Sequence, residues 1–292
     1  MQSLWMVAAS LLFACMGVCV KLGSAKFSAA ELVFARGAIA LLMIFGYVRI
    51  AGLSLATPHW RTHLMRGLSG FISLVMYFYA IGLIPLATAV TLNYTSPLFL
   101  ALLLAFWLRE RIRPLLYVAL AGGFVGVILL LRPSWNDGQL AGALFGLASG
   151  VIASVAYLNV RKLGELGEPE WRTVFYFSLI AAIGGLPWAL WGLAGSWTGQ
   201  PLHAIDARGW LLLFGVGGFG ALAQLCMTRA YKHGKTMVSA SLAYSTVVFS
   251  SLFGIWLWDE TLPIMALLGM TLILASGIFA TALSRAAPVE QD

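Results

Sequence analysis

Charge is scarce in this chain. Only 10% of its 292 residues are Asp, Glu, Lys or Arg, against about 25% in a soluble domain, so there is too little polar surface to cover a globule in water. No acidic residue falls deep in an apolar run. The eleven carboxylates, from Glu31 to Asp292, and the four His lie in connections or at run ends. Proton-driven carriers place an ionisable relay inside the membrane. Its lack points to transport down the substrate's own gradient, with sodium held by carbonyls and hydroxyls left open. Cysteine is as sparse: Cys15, Cys19 and Cys226 all sit in apolar runs, without zinc spacing and odd in number, which argues against a disulfide framework or metal site. There is no H-E-x-x-H, no Walker A loop, no G-x-S-x-G and no Cys/His cluster. No catalytic residue, metal or cofactor is therefore expected, and an enzyme is disfavoured.

What is present is oil. Ten runs reach the roughly 20 residues a membrane helix needs: about 3–22, 29–48, 64–82, 86–107, 114–131, 140–160, 173–193, 210–229, 236–257 and 262–283. The first lacks a basic leader and a small-residue cleavage site, so it reads as a retained helix rather than a signal peptide. Connections are short, the longest being 49–63, 161–172 and 195–209. The net charge of +7 reflects membrane topology, and no nucleic-acid partner is expected. With the N-terminus inside, thirteen Lys and Arg fall on the cytoplasmic side, including Arg66, and four on the other: Lys21, Lys26, Arg132 and Arg208. That bias places both termini in the cytoplasm. The expected fold is an all-α, multi-pass protein of the inner (cell) membrane.

The stretch "ATAVTLNYTSPLFLALLLAFWLRE" from Ala87 has a counterpart, "TMVSASLAYSTVVFSSLFGIWLWDE", from Thr236. A shift of 150 residues superposes Leu92, Tyr94, Phe99 and Glu110 on Leu242, Tyr244, Phe249 and Glu260, and Thr95 on Ser245. A shift of 141 superposes the "KLG" at 21–23 on that at 162–164. The chain thus reads as two repeats: 1–136 with spans one to five, 137–284 with spans six to ten, then a cytoplasmic tail, 285–292. Five is odd, so the second half enters from the opposite side. Inverted repeats of this kind place a substrate between them near mid-membrane.

The blocks "AELVFARGAIALLMI", "YAIGLIPLATAVTLNYTSPLFLALLLAFWLRERI" and "RAYKHGKTMVSASLAYSTVVFSSLFGIWLWDETL" resemble the recurring blocks of the EamA family within the drug/metabolite transporter superfamily. Glu110 and Glu260 match the Glu that usually follows the family's fourth and ninth spans. The Trp- and Tyr-rich spans look most like the YddG-type aromatic amino-acid exporters. The resemblance implies a transporter of amino acids or similar small metabolites, and a cavity formed largely by spans three, four, eight and nine.

Positions three and four apart share a helix face. In span four that stripe holds Thr91, Tyr94, Leu98 and Ala101; in span nine it holds Ser241, Tyr244, Val248 and Ser251. Thr and Ser can bond back to their own helix, whereas a Tyr hydroxyl cannot easily do so, which makes Tyr94 and Tyr244 the stronger substrate candidates. Asn93 either joins helices or lines the cavity. Gln224 in span eight and Tyr79 in span three complete the expected substrate-binding set. Pro97 frees a carbonyl and is expected to kink span four. Lys21 and Arg36 either snorkel to the interface or form an outer vestibule or gate with Glu31. No Lys or Arg is expected in the central spans, which favours a neutral or zwitterionic substrate, an aromatic or bulky amino acid, over a phosphorylated one. A channel, or a carrier of drugs or nucleotide-sugars, is the alternative. The partners expected are a small solute and the lipid bilayer, with the chain a monomer. Single cysteines at 137 and 206 are predicted to react with an impermeant thiol reagent from outside, and those at 110 and 165 from the cytoplasm. Labelling of 110 and 137 from one side would break the ten-span topology.

Overall fold

In the computed structural model the described residues are 4–106, 118, 121–123, 125–126, 129, 137–193, 206–233, 242–260 and 263–283. Among them every regular element is helical. The helices are α1 (Trp5–Gly23), α2 (Ala29–Ile50), α3 (Trp60–Leu83), α4 (Leu86–Asn93), α5 (Ser96–Phe106), α6 (Asp137–Glu165), α7 (Glu170–Leu193), α8 (Ala207–His233), α9 (Ser245–Trp258) and α10 (Ile264–Leu283). Six of them, α1 to α3 and α6 to α8, are long and apolar enough to cross a membrane. The expected fifth span lies mostly outside the described residues, as do Glu110 and the tail 285–292.

Local chemistry sets the boundaries. Ser28 and Glu31 form a capping box on α2: the Ser28 hydroxyl accepts from the Glu31 N–H at 3.3 Å, and the Glu31 carboxylate accepts from the Ser28 N–H at 2.6 Å. This satisfies two of the donors a helix start leaves open. Before Pro85, Ile84 turns extended and α3 ends, because a residue preceding proline is pushed out of the helical region. Asp259 ends α9 in a left-handed conformation, φ 49°.

The expected fourth span is not one kinked helix but two, α4 and α5, separated at Tyr94 and Thr95. The Thr95 hydroxyl donates to the Leu92 carbonyl at 2.6 Å, and the Thr95 N–H to the same oxygen at 3.2 Å. In the other half the helical pattern is interrupted at Tyr244, and the Ser245 hydroxyl donates to the Leu242 carbonyl at 2.5 Å. These are partner residues under the 150-residue shift. Position 247 is Val, so proline is not what the two interruptions share; a hydroxyl closing on the carbonyl three residues back is.

Helix α3 packs along α6 and α1 along α8, while α2 packs along α7. Helix α4 meets both α6 and α9, and α9 also meets α1. Glycines make the α6 seat close. A Cβ on Gly142 would stand 2.7 Å from the Ile84 side chain, and one on Gly150 would stand 2.8 Å from the Leu92 carbonyl and 2.7 Å from the Thr95 hydroxyl. In the partly described stretch 118–129, Gly126 likewise sits against the Gly269 carbonyl of α10. The outer surface is apolar, with Leu211, Trp256 and Ile264 each more than 70% exposed, as lipid-facing side chains should be.

Gly150→Ala drives a methyl into backbone and is expected to cost about 1–3 kcal/mol, read as a lowered melting temperature in detergent. Gly218, with no atom within 4 Å of its would-be Cβ, should accept Ala unchanged. Equal melting of both variants would show that the close seat is dispensable.

Candidate functional site

The interrupted helices border a cavity. Phe13 and Met16 of α1, Arg36 of α2, Arg66, Ser73 and Tyr77 of α3, and Asn93 and Tyr94 at the end of α4 form one side. Tyr157 of α6, Phe177 of α7, Gln224 of α8 and Thr246 of α9 form the other. Its free volume is about 80 Å³, well short of the roughly 300–1,000 Å³ usual for small-molecule sites, so the cavity is nearly closed in this conformation. Tyr94 and Thr246 share a hydrogen bond of 2.8 Å between their hydroxyls. The Tyr94 and Tyr244 rings lie 6.4 Å apart, tilted by 54°. The Asn93 amide donates to the Ser149 hydroxyl at 2.9 Å, which in turn donates to the Gly146 carbonyl at 2.6 Å. Thus α4 is tied to α6 beside the glycine seat.

The charged part of the wall was not foreseen. Arg36 and Arg66 are 3% and 4% exposed, and their guanidinium carbons stand 5.0 Å and 4.1 Å from the centre of the Phe177 ring. Arg36 also donates a long hydrogen bond, 3.5 Å, to the Gln224 side-chain oxygen. No described lining residue is acidic. Among the described residues no group of three or more His, Cys, Asp or Glu side chains is placed to hold a metal ion.

The sequence pattern of the EamA-like transporter family matches residues 1–132 and again 140–282. The chain belongs to that family. Its members are membrane transporters, and this chain is a multi-pass membrane protein of the same kind. It is 34% identical over 279 residues to the pseudopaline exporter of Pseudomonas aeruginosa strain UCBPP-PA14, covering 96% of this chain and 94% of that one. It is 29% identical over 287 residues to the riboflavin transporter of Vibrio cholerae, covering 96% and 92%. A solved crystal structure matches with a TM-score of 0.68 at 21% identity, over 97% of this chain and 98% of that one; at that identity it speaks for the fold alone.

Against this EamA-like frame the expected residues divide. Asn93, Tyr94 and Gln224 line the cavity. Tyr244 is buried one ring behind Tyr94. Thr91 is buried, and its hydroxyl donates back to the Ala87 carbonyl at 2.7 Å, away from the lining. Tyr79 is misassigned. It is 46% exposed and packs edge-on against Phe145 on the outer face; Tyr77, two residues earlier, is the lining tyrosine. Val248 points outward, so the expected span-nine stripe does not continue past Tyr244, where the helix is interrupted. Ser241 lies outside the described residues, and of Pro97 only the backbone is described. Arg36 does not snorkel; its side chain is buried against Phe177 and lines the cavity. Arg66, counted with the cytoplasmic connection, is six residues into α3, about 9 Å along its axis, because that helix starts at Trp60 rather than 64. The exclusion of Lys and Arg from the central spans therefore fails on Arg66 of α3, while Arg36 reaches the cavity from α2, which was not counted among them.

Two polar clusters close the ends. At one, the Lys21 ammonium donates to the Ile84 carbonyl at 2.5 Å, and the Glu260 carboxylate accepts from the Leu86 N–H at 3.1 Å, capping α4 from the other half. Glu31, the partner expected for Lys21, is spent on its own helix cap. At the other end, Glu168 is buried and accepts from Arg172 at 2.8 Å and from the Thr57 hydroxyl, with His63 3.6 Å away. His63, expected in a connection, is a buried residue of α3.

Burial pushes the Glu168 carboxyl up, but the hydrogen bonds from Thr57 and Arg172 and the charges of Arg172 and His63 together hold it below its usual 4.5. A carboxyl depressed in the folded state adds stability that is fully present above the ordinary value and is lost as pH falls through the folded one. Wild-type melting temperature should therefore drop between about pH 5 and 3, and Glu168→Gln should melt lower at neutral pH with a flatter acid limb. Parallel acid limbs would remove Glu168 from the account.

Proposed function

We propose that the chain is an alternating-access carrier of one small organic solute in the inner (cell) membrane. Its two five-span halves have inverted topology, both termini face the cytoplasm, and the solute sits in the cavity between the halves. The observation that carries this reading is the cavity at the two interrupted helices, with walls drawn from both halves. A seam between halves is where rocking motions expose a site to each side in turn. The packing pattern supports the inversion: α3 runs along α6 as α8 runs along α1, and α4 meets α6 as α9 meets α1. The basic-residue bias survives the loss of Arg66 as twelve against four, which supports the orientation. The described lining contains neither carboxylate nor histidine, in keeping with transport that needs no proton gradient.

Asn93, Tyr94 and Gln224 are assigned to direct contact, with Tyr244 and Thr91 holding the helix ends behind them. With about 80 Å³ free, the cavity must open, as alternating access requires, to admit an amino acid or a metabolite of similar size. The rings of Phe13, Tyr77, Tyr94, Tyr157 and Phe177 suit planar or apolar groups on it. A neutral aromatic amino acid, the expectation from the paired tyrosines, fits these walls but gives the two guanidiniums one carboxylate between them.

In proteoliposomes, a panel of labelled amino acids and short dicarboxylic acids should contain a solute whose flux saturates and stops at its own gradient. An imposed proton gradient should add nothing. Tyr94→Ala removes a ring and the bond to Thr246 and should lower kcat/KM about tenfold, while Tyr79→Ala should leave it unchanged. Flux that never saturates would indicate a channel, and normal transport by Tyr94→Ala would remove the tyrosine from the site.

A further inference from the structure

Resting on the carrier reading, we propose that the cavity selects a solute with two carboxylate groups, one for Arg36 and one for Arg66. The two guanidiniums lean on one ring, so their charge centres are at most about 9 Å apart, the limit set by their distances of 5.0 Å and 4.1 Å to its centre. That span suits the two ends of a short diacid. Neither arginine takes part in any ion pair among the described residues. The Arg36 Nε, the Arg66 Nε and the Gln224 side-chain nitrogen are buried donors without hydrogen-bond partners.

Two buried cations without counter-charge are costly. The Phe177 ring returns some of that cost, since a desolvated cation gains from an aromatic face, and the long bond to Gln224 returns a little more. Those contacts fix where the guanidiniums sit without neutralising them. Arginine presents a planar fork of donors that matches a carboxylate in bidentate fashion. Two such forks and a free amide donor beside aromatic walls form a receptor whose missing component is negative charge. The paired tyrosines would then shape the body of the solute, and the arginines its charge.

The test is thermal melting of the purified full-length protein in detergent with millimolar succinate, glutarate or glutamate, against glutamine, phenylalanine and inorganic phosphate. At least one diacid should raise the melting temperature, while glutamine and phenylalanine at the same concentration should not. Arg36→Gln and Arg66→Gln should each raise the concentration for a half-maximal shift about tenfold or more, and Arg36→Lys should recover part of the response. Without ligand, both Gln variants should melt no lower than wild type, because each removes an unpaired buried charge. A purely structural arginine would instead lose stability on replacement. A response confined to phenylalanine, a response to phosphate without one to diacids, or diacid shifts retained in both Gln variants would each overturn the proposal. Diacid binding without flux in liposomes would leave this site standing and sink the carrier reading. Saturable flux of a neutral solute, untouched by either Gln variant, would do the reverse.

Discussion

In hydrocarbon there is no water to satisfy a backbone amide, so a chain that crosses it must bond its own N–H and C=O groups. That constraint governs where this molecule can depart from helix. It does so at Tyr94 and Tyr244, and in both places a short hydroxyl repairs the departure: Thr95 on the Leu92 carbonyl and Ser245 on the Leu242 carbonyl. The tight turn on α4 brings Asn93 and Tyr94 to the cavity wall and Thr95 against Gly150. Closely packed glycines, tied side chains and the cavity wall thus follow from one need, to break a helix inside a membrane without stranding its polar groups.

Much of the architecture was legible because the bilayer writes in long strokes. Apolar run length gave α1 to α3 and α6 to α8 within a few residues, and the 150-residue register picked out Leu92 with Leu242 and Thr95 with Ser245 before their hydrogen bonds were visible. The site was less legible, for geometric reasons. Tyr77 and Tyr79 are two residues apart, about 200° around a helix, and nothing in their spacing says which of them faces inward. The rotation of α3 against α6 decides it. Val248 was lost for a related reason, since a stripe drawn along a straight helix does not survive the interruption at Tyr244.

The arginines show a different limit. A basic residue near the end of an apolar run normally reaches for the interface; that habit hid Arg36, and the late start given to α3 left Arg66 in a connection. What overrides it here is Phe177, contributed by α7, whose position no pattern within α2 or α3 encodes. A usable signal was present nonetheless. Arg36 stands seven residues inside a strongly apolar helix, about 10 Å from its start, which is deep for a side chain whose only duty is to reach water.

The cap on α4 also bears on how the molecule is made. The Leu86 N–H at the start of that helix is bonded by a carboxylate 174 residues further along the chain. A nascent polypeptide leaving the ribosome would therefore complete α4 with that amide unmet, and would meet it only after α9 had been made. The first half can thread into the bilayer early but reaches its final form late. Glu260 acts as a latch that closes when biosynthesis is nearly complete.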